Sequence, residues 1–386
     1  MARGVREIVR AMPFSRIGEV AMAGLGDPEV IPLWFGESDL PTPGFIGEAA
    51  AAALRAGHTF YTFKRGVPEL RAAIARYLSS LYARDVAAER VTVTSSGMNA
   101  IMLTAQALIE PGDNLVILSP VWPNIADAVT VLGGEARAVA LEATEEGSWR
   151  LDPERLMAAC DQRTRAIFVN SPGNPTGWVM RREAQRALLD FARRRGLWLI
   201  SDEVYHRIRY GNAPAAPSLL ELAEPEDRVV VINSFSKSWA MTGWRLGWLV
   251  APREIQEIAD KLVEFNTSGA PTFLQHAAVA ALDQGEGFVA AMVERCRRGR
   301  EIVIERLKTL PRVRVAAPEG AFYAFPRIEG MADSLAFAKE VLARVKVGVA
   351  PGSAFGLGVE GHLRLCFASA PERLERALER LAPLLR

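Results

Sequence analysis

Cysteine is scarce in this chain: Cys160, Cys296 and Cys366 are the three among 386 residues. They are odd in number, widely spaced and form no Cys-x-x-Cys, which excludes a disulfide framework and fits a reducing compartment. Histidine is almost as rare. His58, His206, His276 and His362 never fall at a metal-ligand spacing such as His-x-x-x-His, so no metal is expected. Charge imbalance is nearly absent too, with 46 Lys plus Arg against 45 Asp plus Glu and a net charge of +1. Nucleic-acid binders usually carry a large basic excess, so no such partner is expected. No apolar run approaches the roughly 20 residues that span a bilayer. The basic start, Met1-Ala-Arg-Gly-Val-Arg, is not followed by the continuous apolar segment of a secretion signal. A soluble, cytoplasmic protein without a membrane partner is the expectation. With 49% apolar and 24% charged residues, the chain is also far from the composition of a disordered one.

What is present is length and alternation. At about 150 residues per domain the chain has room for two lobes. Val91 to Thr94 reads as a strand, followed by a helical run from Met98 to Leu108. Short strands are read at Leu115 to Leu118, Ala166 to Val169, Trp198 to Ser201 and Val229 to Ile232, with a helix from Arg181 to Arg194 between the second and third of these. Strand and helix in alternation mean an α/β lobe with a mainly parallel sheet, placed at residues 43–285. The last hundred residues read differently. A long helix from Phe288 to Leu310 precedes short strands at Val313 to Val315, Phe322 to Phe325 and Leu363 to Phe367, a helix at Ser334 to Val345 and another from Pro371. Residues 286–386 joined by 1–42 are therefore expected to form a smaller α+β domain.

The most informative stretch is VINSFSKSWAMTGWRLGWLV, residues 231–250. It sets Lys237 among small hydroxyl residues, between a strand and a glycine-rich turn. Burial there favours the neutral amine, the form that condenses with an aldehyde; a solvated strand-end lysine is the alternative. Ser-x-Ser-Lys followed by Thr-Gly-Trp-Arg-Leu-Gly resembles the Schiff-base segment of fold-type I pyridoxal-phosphate enzymes, within them the class I aminotransferases of the aspartate/aromatic group. The resemblance covers nearly the whole chain, with its motifs in family order.

That resemblance implies a pyridoxal 5′-phosphate cofactor and a set of residues around it. Lys237 is implied as covalent anchor and general base. Asp202, in Ile200-Ser-Asp-Glu-Val-Tyr, matches the carboxylate partner of the pyridine nitrogen, and Tyr205 the phenol on the cofactor's 3′ oxygen. Asn174, in the Asn-Pro-Thr-Gly signature, shares that oxygen. Ser96, Gly97 and Met98 form a strand-to-helix turn suited to phosphate, joined by Ser234, Ser236 and Arg245; Ser96 reads equally well as a plain helix cap. Trp122 matches the ring that stacks on the pyridine, although a lone tryptophan is more often core. Tyr61 matches a tyrosine that reaches the neighbouring subunit's phosphate site, which implies a homodimer.

At the substrate end, Arg364 in His362-Leu-Arg-Leu-Cys resembles the arginine that forks onto the α-carboxylate, the geometry arginine suits best. Gly36 matches a glycine near the same carboxylate, with Ser38 where proline is common in the family. Asn174 and Trp122 are expected to border the substrate as well. A distal cation for acidic side chains has no obvious source: Met98 follows the phosphate-loop glycine where some relatives carry a base, and Arg16, Lys64 or Arg65 could substitute. Trp34, Phe35, Phe14 and Phe355 could equally line an apolar pocket, and a neutral or aromatic substrate is mildly favoured.

Gly356-Leu-Gly-Val-Glu-Gly satisfies G-x-G-x-x-G, but it precedes a strand instead of following one, so it reads as a loop and not as a dinucleotide site. The expected activity is transfer of an amino group between an L-amino acid and a 2-oxo acid by a ping-pong mechanism. The same residues would serve a C–S β-lyase, and a non-catalytic ligand sensor is the alternative of another class, although no segment is left over for a DNA-binding domain.

Overall fold

The computed structural model describes residues 4–386; Met1 to Arg3, part of the basic N-terminal stretch, lie outside them. Its centre is a seven-stranded sheet of β1 (Val91–Thr94), β2 (Asn114–Ser119), β3 (Glu135–Ala140), β4 (Thr164–Asn170), β5 (Trp198–Asp202), β6 (Val229–Ser234) and β7 (Gly247–Val250), in the order β1-β7-β6-β5-β4-β2-β3. All neighbours run parallel except β7, which is antiparallel to both β1 and β6. The strands β2 and β4 to β6 read as continuous apolar runs because both faces of the sheet are covered. Val116 and Leu118 face one core with Ile167, Val169, Trp239 and Trp248. Leu115 and Ile117 face the other, with Ala166, Phe168 and the helix Gly97–Leu108.

A third core gathers Val20, Ile31 and Trp34 from the N-terminal segment with Cys296, Val303, Phe322, Tyr323, Phe367 and Leu378. A three-stranded sheet lies in it, with Leu363–Cys366 between Tyr323–Ala324 and Ala350–Pro351. The 23-residue helix Glu286–Lys308 joins the two regions: Val289 packs into the sheet core and Met292 onward into this third core. Gly356 to Gly361 form a loop ahead of the strand Leu363–Cys366, as the sequence order requires. No helix among the described residues is long and apolar enough to cross a membrane, and these residues hold no cluster of metal-ligating side chains.

The parallel strands point their C-terminal ends the same way. Asn170 ends β4, Asp202 ends β5 and Ser234 ends β6, with Asn170 and Asp202 paired across the sheet. This carboxyl edge is where open α/β sheets bind ligands.

Candidate active site

A cavity of about 400 Å³ opens at that edge. Gly36, Gly97, Met98, Trp122, Asn174, Asp202, Tyr205, Ser234, Ser236, Lys237, Arg245 and Arg364 all line it. Three expected site residues do not. Ser96 is the helix cap: its hydroxyl accepts the Asn99 N–H at 3.0 Å. Arg16 lies outside and pairs with Glu360 at 3.5 Å, both half in solvent, although its neighbours Ser15 and Ile17 reach the cavity wall. Tyr61 is 92% exposed on a separate loop, away from this cavity of its own chain.

Lys237 follows β6 by three residues, which brings its ammonium back over the sheet edge. It donates to the Gly36 carbonyl at 2.7 Å and sits 5.7 Å from the centre of the Tyr205 ring. Loss of water around it lowers its pKa to about 8, so an appreciable fraction is the neutral amine near neutrality. Asp202 is buried, and the Val204 N–H, at 3.2 Å, is the one donor its side chain receives among the described residues. Burial pushes its carboxyl up to about 7, with Val204 and the Lys237 charge holding it back. A carboxylate so placed gains strongly from any buried cationic donor brought beside it. Burial likewise raises the Tyr205 phenol well above its usual range, keeping it a protonated donor.

One end of the cavity is built for an anion. In the helix Gly97–Leu108 the first two N–H groups, of Gly97 and Met98, have no intrahelical acceptor. Facing them are the hydroxyls of Ser234 and Ser236, 2.9 Å apart, and Arg245, held in a left-handed backbone conformation with its guanidinium on the Thr242 carbonyl at 2.6 Å. The other end holds Arg364, which is 2% exposed. One of its nitrogens donates to Asn174 Oδ1 at 3.0 Å and another to the Trp34 carbonyl, while its Nε has no partner among the described residues. Asn174 is fixed in turn by its own N–H donating to Asn170 Oδ1 at 2.7 Å.

Ile17, Phe35, Met98 and Ile101 supply apolar wall, and Ser15 and Asn124 uncharged polar groups. Of the aromatics expected in an apolar pocket, Phe35 is there; Phe14 is 96% exposed and Phe355 lies beneath Arg364. Tyr323 also lines the cavity, its hydroxyl 2.6 Å from that of Tyr205. The sequence marks Tyr323 as a strand residue and nothing more. Asn170 lies four residues ahead of the Asn-Pro-Thr-Gly signature, and its place at the end of β4 is the signal that would have included it.

The family model for aminotransferase class I and II matches residues 28–381. An aspartate aminotransferase of Pyrococcus horikoshii is 35% identical over 99% of this chain and 97% of its own. Among solved structures, an aspartate aminotransferase of Thermus thermophilus superposes with a TM-score of 0.92 at 34% identity, covering 100% of both chains. An aromatic aminotransferase of Pyrococcus horikoshii does so with a TM-score of 0.87 at 35% identity, covering 96% of this chain and 98% of its own.

Proposed function

The chain belongs to the aminotransferase class I and II family, and from that premise we propose that it transfers the amino group of a neutral, apolar or aromatic L-amino acid to a 2-oxo acid in the cavity around Lys237. It is a pyridoxal-phosphate-dependent aminotransferase of fold type I. The observation that carries the assignment of the site is Lys237: a cavity amine with a lowered pKa, flanked by a buried carboxylate and by the Gly97 and Met98 N–H groups that start a helix at the cavity.

The residues present fit pyridoxal phosphate. The N–H groups of Gly97 and Met98, the hydroxyls of Ser234 and Ser236 and the Arg245 guanidinium would hold its phosphate. Asp202 would take the ring nitrogen, the cationic donor its desolvated carboxylate lacks. Trp122 would cover the ring, and Asn174 and Tyr205 would reach its phenolic oxygen. When bound, the cofactor supplies an electron sink for the carbon that loses its proton. Lys237 would anchor it and would move the proton of the substrate's α carbon. Arg364 orients the substrate by its carboxylate, with Gly36 beside it. Because one arginine grips both donor and acceptor carboxylates, the two must take turns, which imposes ping-pong order.

Substrate class follows from the rest of the wall. Lys237, Arg245 and Arg364 are its cations among the described residues, and each has a task. Arg16 lies outside this wall and pairs with Glu360. A side-chain carboxylate entering beside Ile17, Phe35, Met98 and Ile101 would lose water without gaining a partner. The relatives' name, aspartate aminotransferase, therefore does not transfer to this chain's preference; the aromatic relative fits it better.

The exposed Tyr61, with Phe60, Phe63 and Phe265 also exposed, supports a homodimer in which Tyr61 completes the partner's phosphate site. Separate cores support a large domain at 43–285 and a small one at 1–42 with 286–386. The reducing compartment implied by three free cysteines is the cytoplasm.

Single-turnover rates with individual L-amino acids, read as loss of the lysine-bound cofactor's colour, test this reading. Phenylalanine or leucine should exceed aspartate at least about tenfold in kcat/KM, the discrimination expected when a charge is buried unpaired. Faster reaction with aspartate would overturn the substrate class, and no reaction with any amino acid would overturn the activity at this site.

A further inference from the structure

Tyr323 touches four things at once. Its hydroxyl lies 2.6 Å from the Tyr205 hydroxyl, and the two rings meet edge to face at 5.6 Å. The Arg364 guanidinium carbon sits 4.6 Å from the centre of its ring, with the Phe355 ring 5.0 Å away as a second support. A Cβ added to Gly36 would fall 1.9 Å from the Tyr323 oxygen, so residue 36 is held to glycine by this phenol. The Gly36 carbonyl in turn accepts from Lys237. The strand pairing Tyr323↔Cys366 locks the backbone beside Arg364.

We propose that Tyr323 is a positioning residue of the transamination site, its hydroxyl directing the Tyr205 phenol toward the cofactor and its ring fixing the plane of Arg364 for the substrate carboxylate. The proposal rests on the functional reading above, which puts the cofactor beside Tyr205 and the carboxylate at Arg364.

Two phenols in contact share a single hydrogen bond, so one donates and the other accepts. The cation against the Tyr323 ring withdraws electron density from it and favours its O–H as donor. The Tyr205 oxygen then accepts, and its own proton is free for a cofactor oxygen, with each bond polarising the next. The reverse direction would turn the Tyr205 proton away from the cavity. The ionisable groups around the pair are Arg364 and Cys366 on one strand, Glu37 beside Gly36, Asp202 at the end of β5, and Lys237. The Arg364 guanidinium has no acceptor atom for a phenol, and the Lys237 amine is turned to the Gly36 carbonyl.

The test compares Tyr323→Phe with Tyr323→Leu in the cofactor-loaded enzyme. Tyr323→Phe keeps the ring and removes the hydroxyl. A weakened Tyr205 bond stabilises the cofactor's anionic oxygen less, so the pH at which the lysine-bound cofactor changes colour should rise by roughly 0.5–1 unit. Its kcat should fall about 3–10-fold, with KM for an L-amino acid within about twofold of the parent. Tyr323→Leu should show the same colour shift and, with the support under Arg364 gone, a KM raised about tenfold or more. Gly36→Ala should reproduce the colour shift by displacing an unaltered phenol, which separates positioning from misfolding. A parental colour midpoint in both Tyr323→Phe and Gly36→Ala, or an unchanged KM in Tyr323→Leu, would overturn the proposal. A parent enzyme that takes up no cofactor colour would instead overturn the functional reading beneath it.

Discussion

Replacing Asp202 by Asn should make the cofactor-free protein more stable and the loaded protein weaker. Burial raises the Asp202 carboxyl to about 7, whereas in an unfolded chain it titrates near about 3.9. Between those values the folded state holds a proton that the unfolded state has released, so stability falls as pH rises from about 4 to about 7. Above that range the whole cost persists. Three units correspond to about 4 kcal/mol, and water entering the cavity reduces this to about 1–3 kcal/mol. Asn cannot ionise, and its carbonyl still accepts the Val204 N–H. In thermal unfolding at pH 8.5 the variant should therefore melt roughly 2–4 °C higher than the parent, and the advantage should shrink to about a third of that by pH 5. Glu203, which burial also raises to about 7, is present in both proteins and cancels. Cofactor affinity should move the other way. Losing a charge-assisted bond to the ring nitrogen costs about 1.5–3 kcal/mol, roughly 10–150-fold in the dissociation constant read by fluorescence titration. A variant no more stable at pH 8.5, one equally stabilised at pH 5, or one with parental affinity would refute the reasoning.

Two further outcomes follow from the same geometry. Burial lowers the Lys237 pKa to about 8, and the neutral amine is the nucleophile, so the rate at which added pyridoxal phosphate develops colour with the cofactor-free protein should rise through about pH 8; an unperturbed lysine would put that midpoint above about 10. If Tyr61 completes the partner's site, Lys237→Ala and Tyr61→Ala proteins, each nearly inactive alone, should recover about a quarter of parental activity when unfolded and refolded together, since one site of each hybrid dimer is intact. No recovery would remove Tyr61 from the site.

Much of this was readable from local pattern. The strands ending in Asp202, Asn170 and Ser234 are buried on both faces, and such strands show as short apolar runs that stop at a polar residue. The motif residues cluster because a sheet edge collects strand ends. Other features needed the third dimension. Strand β7 hides behind the glycine-rich turn after Lys237, and β3 is a half-exposed edge strand of alternating alanine and charge, too weak a signal for its type. Arg16 looked available as a distal cation because its partner, Glu360, comes from the opposite end of the chain. Tyr323 was invisible for the same reason: Gly36, Tyr205 and Arg364 reach it from three separate segments, and no spacing in the sequence records their meeting.

The central claim, that Lys237 carries the cofactor for a complete amino-group exchange, is tested most directly by absorbance. The purified protein with pyridoxal phosphate should show a visible band that an L-amino acid bleaches and a 2-oxo acid restores, and Lys237→Ala should never complete that cycle. A band that bleaches but does not return, or a Lys237→Ala protein that cycles at the parental rate, would contradict the account.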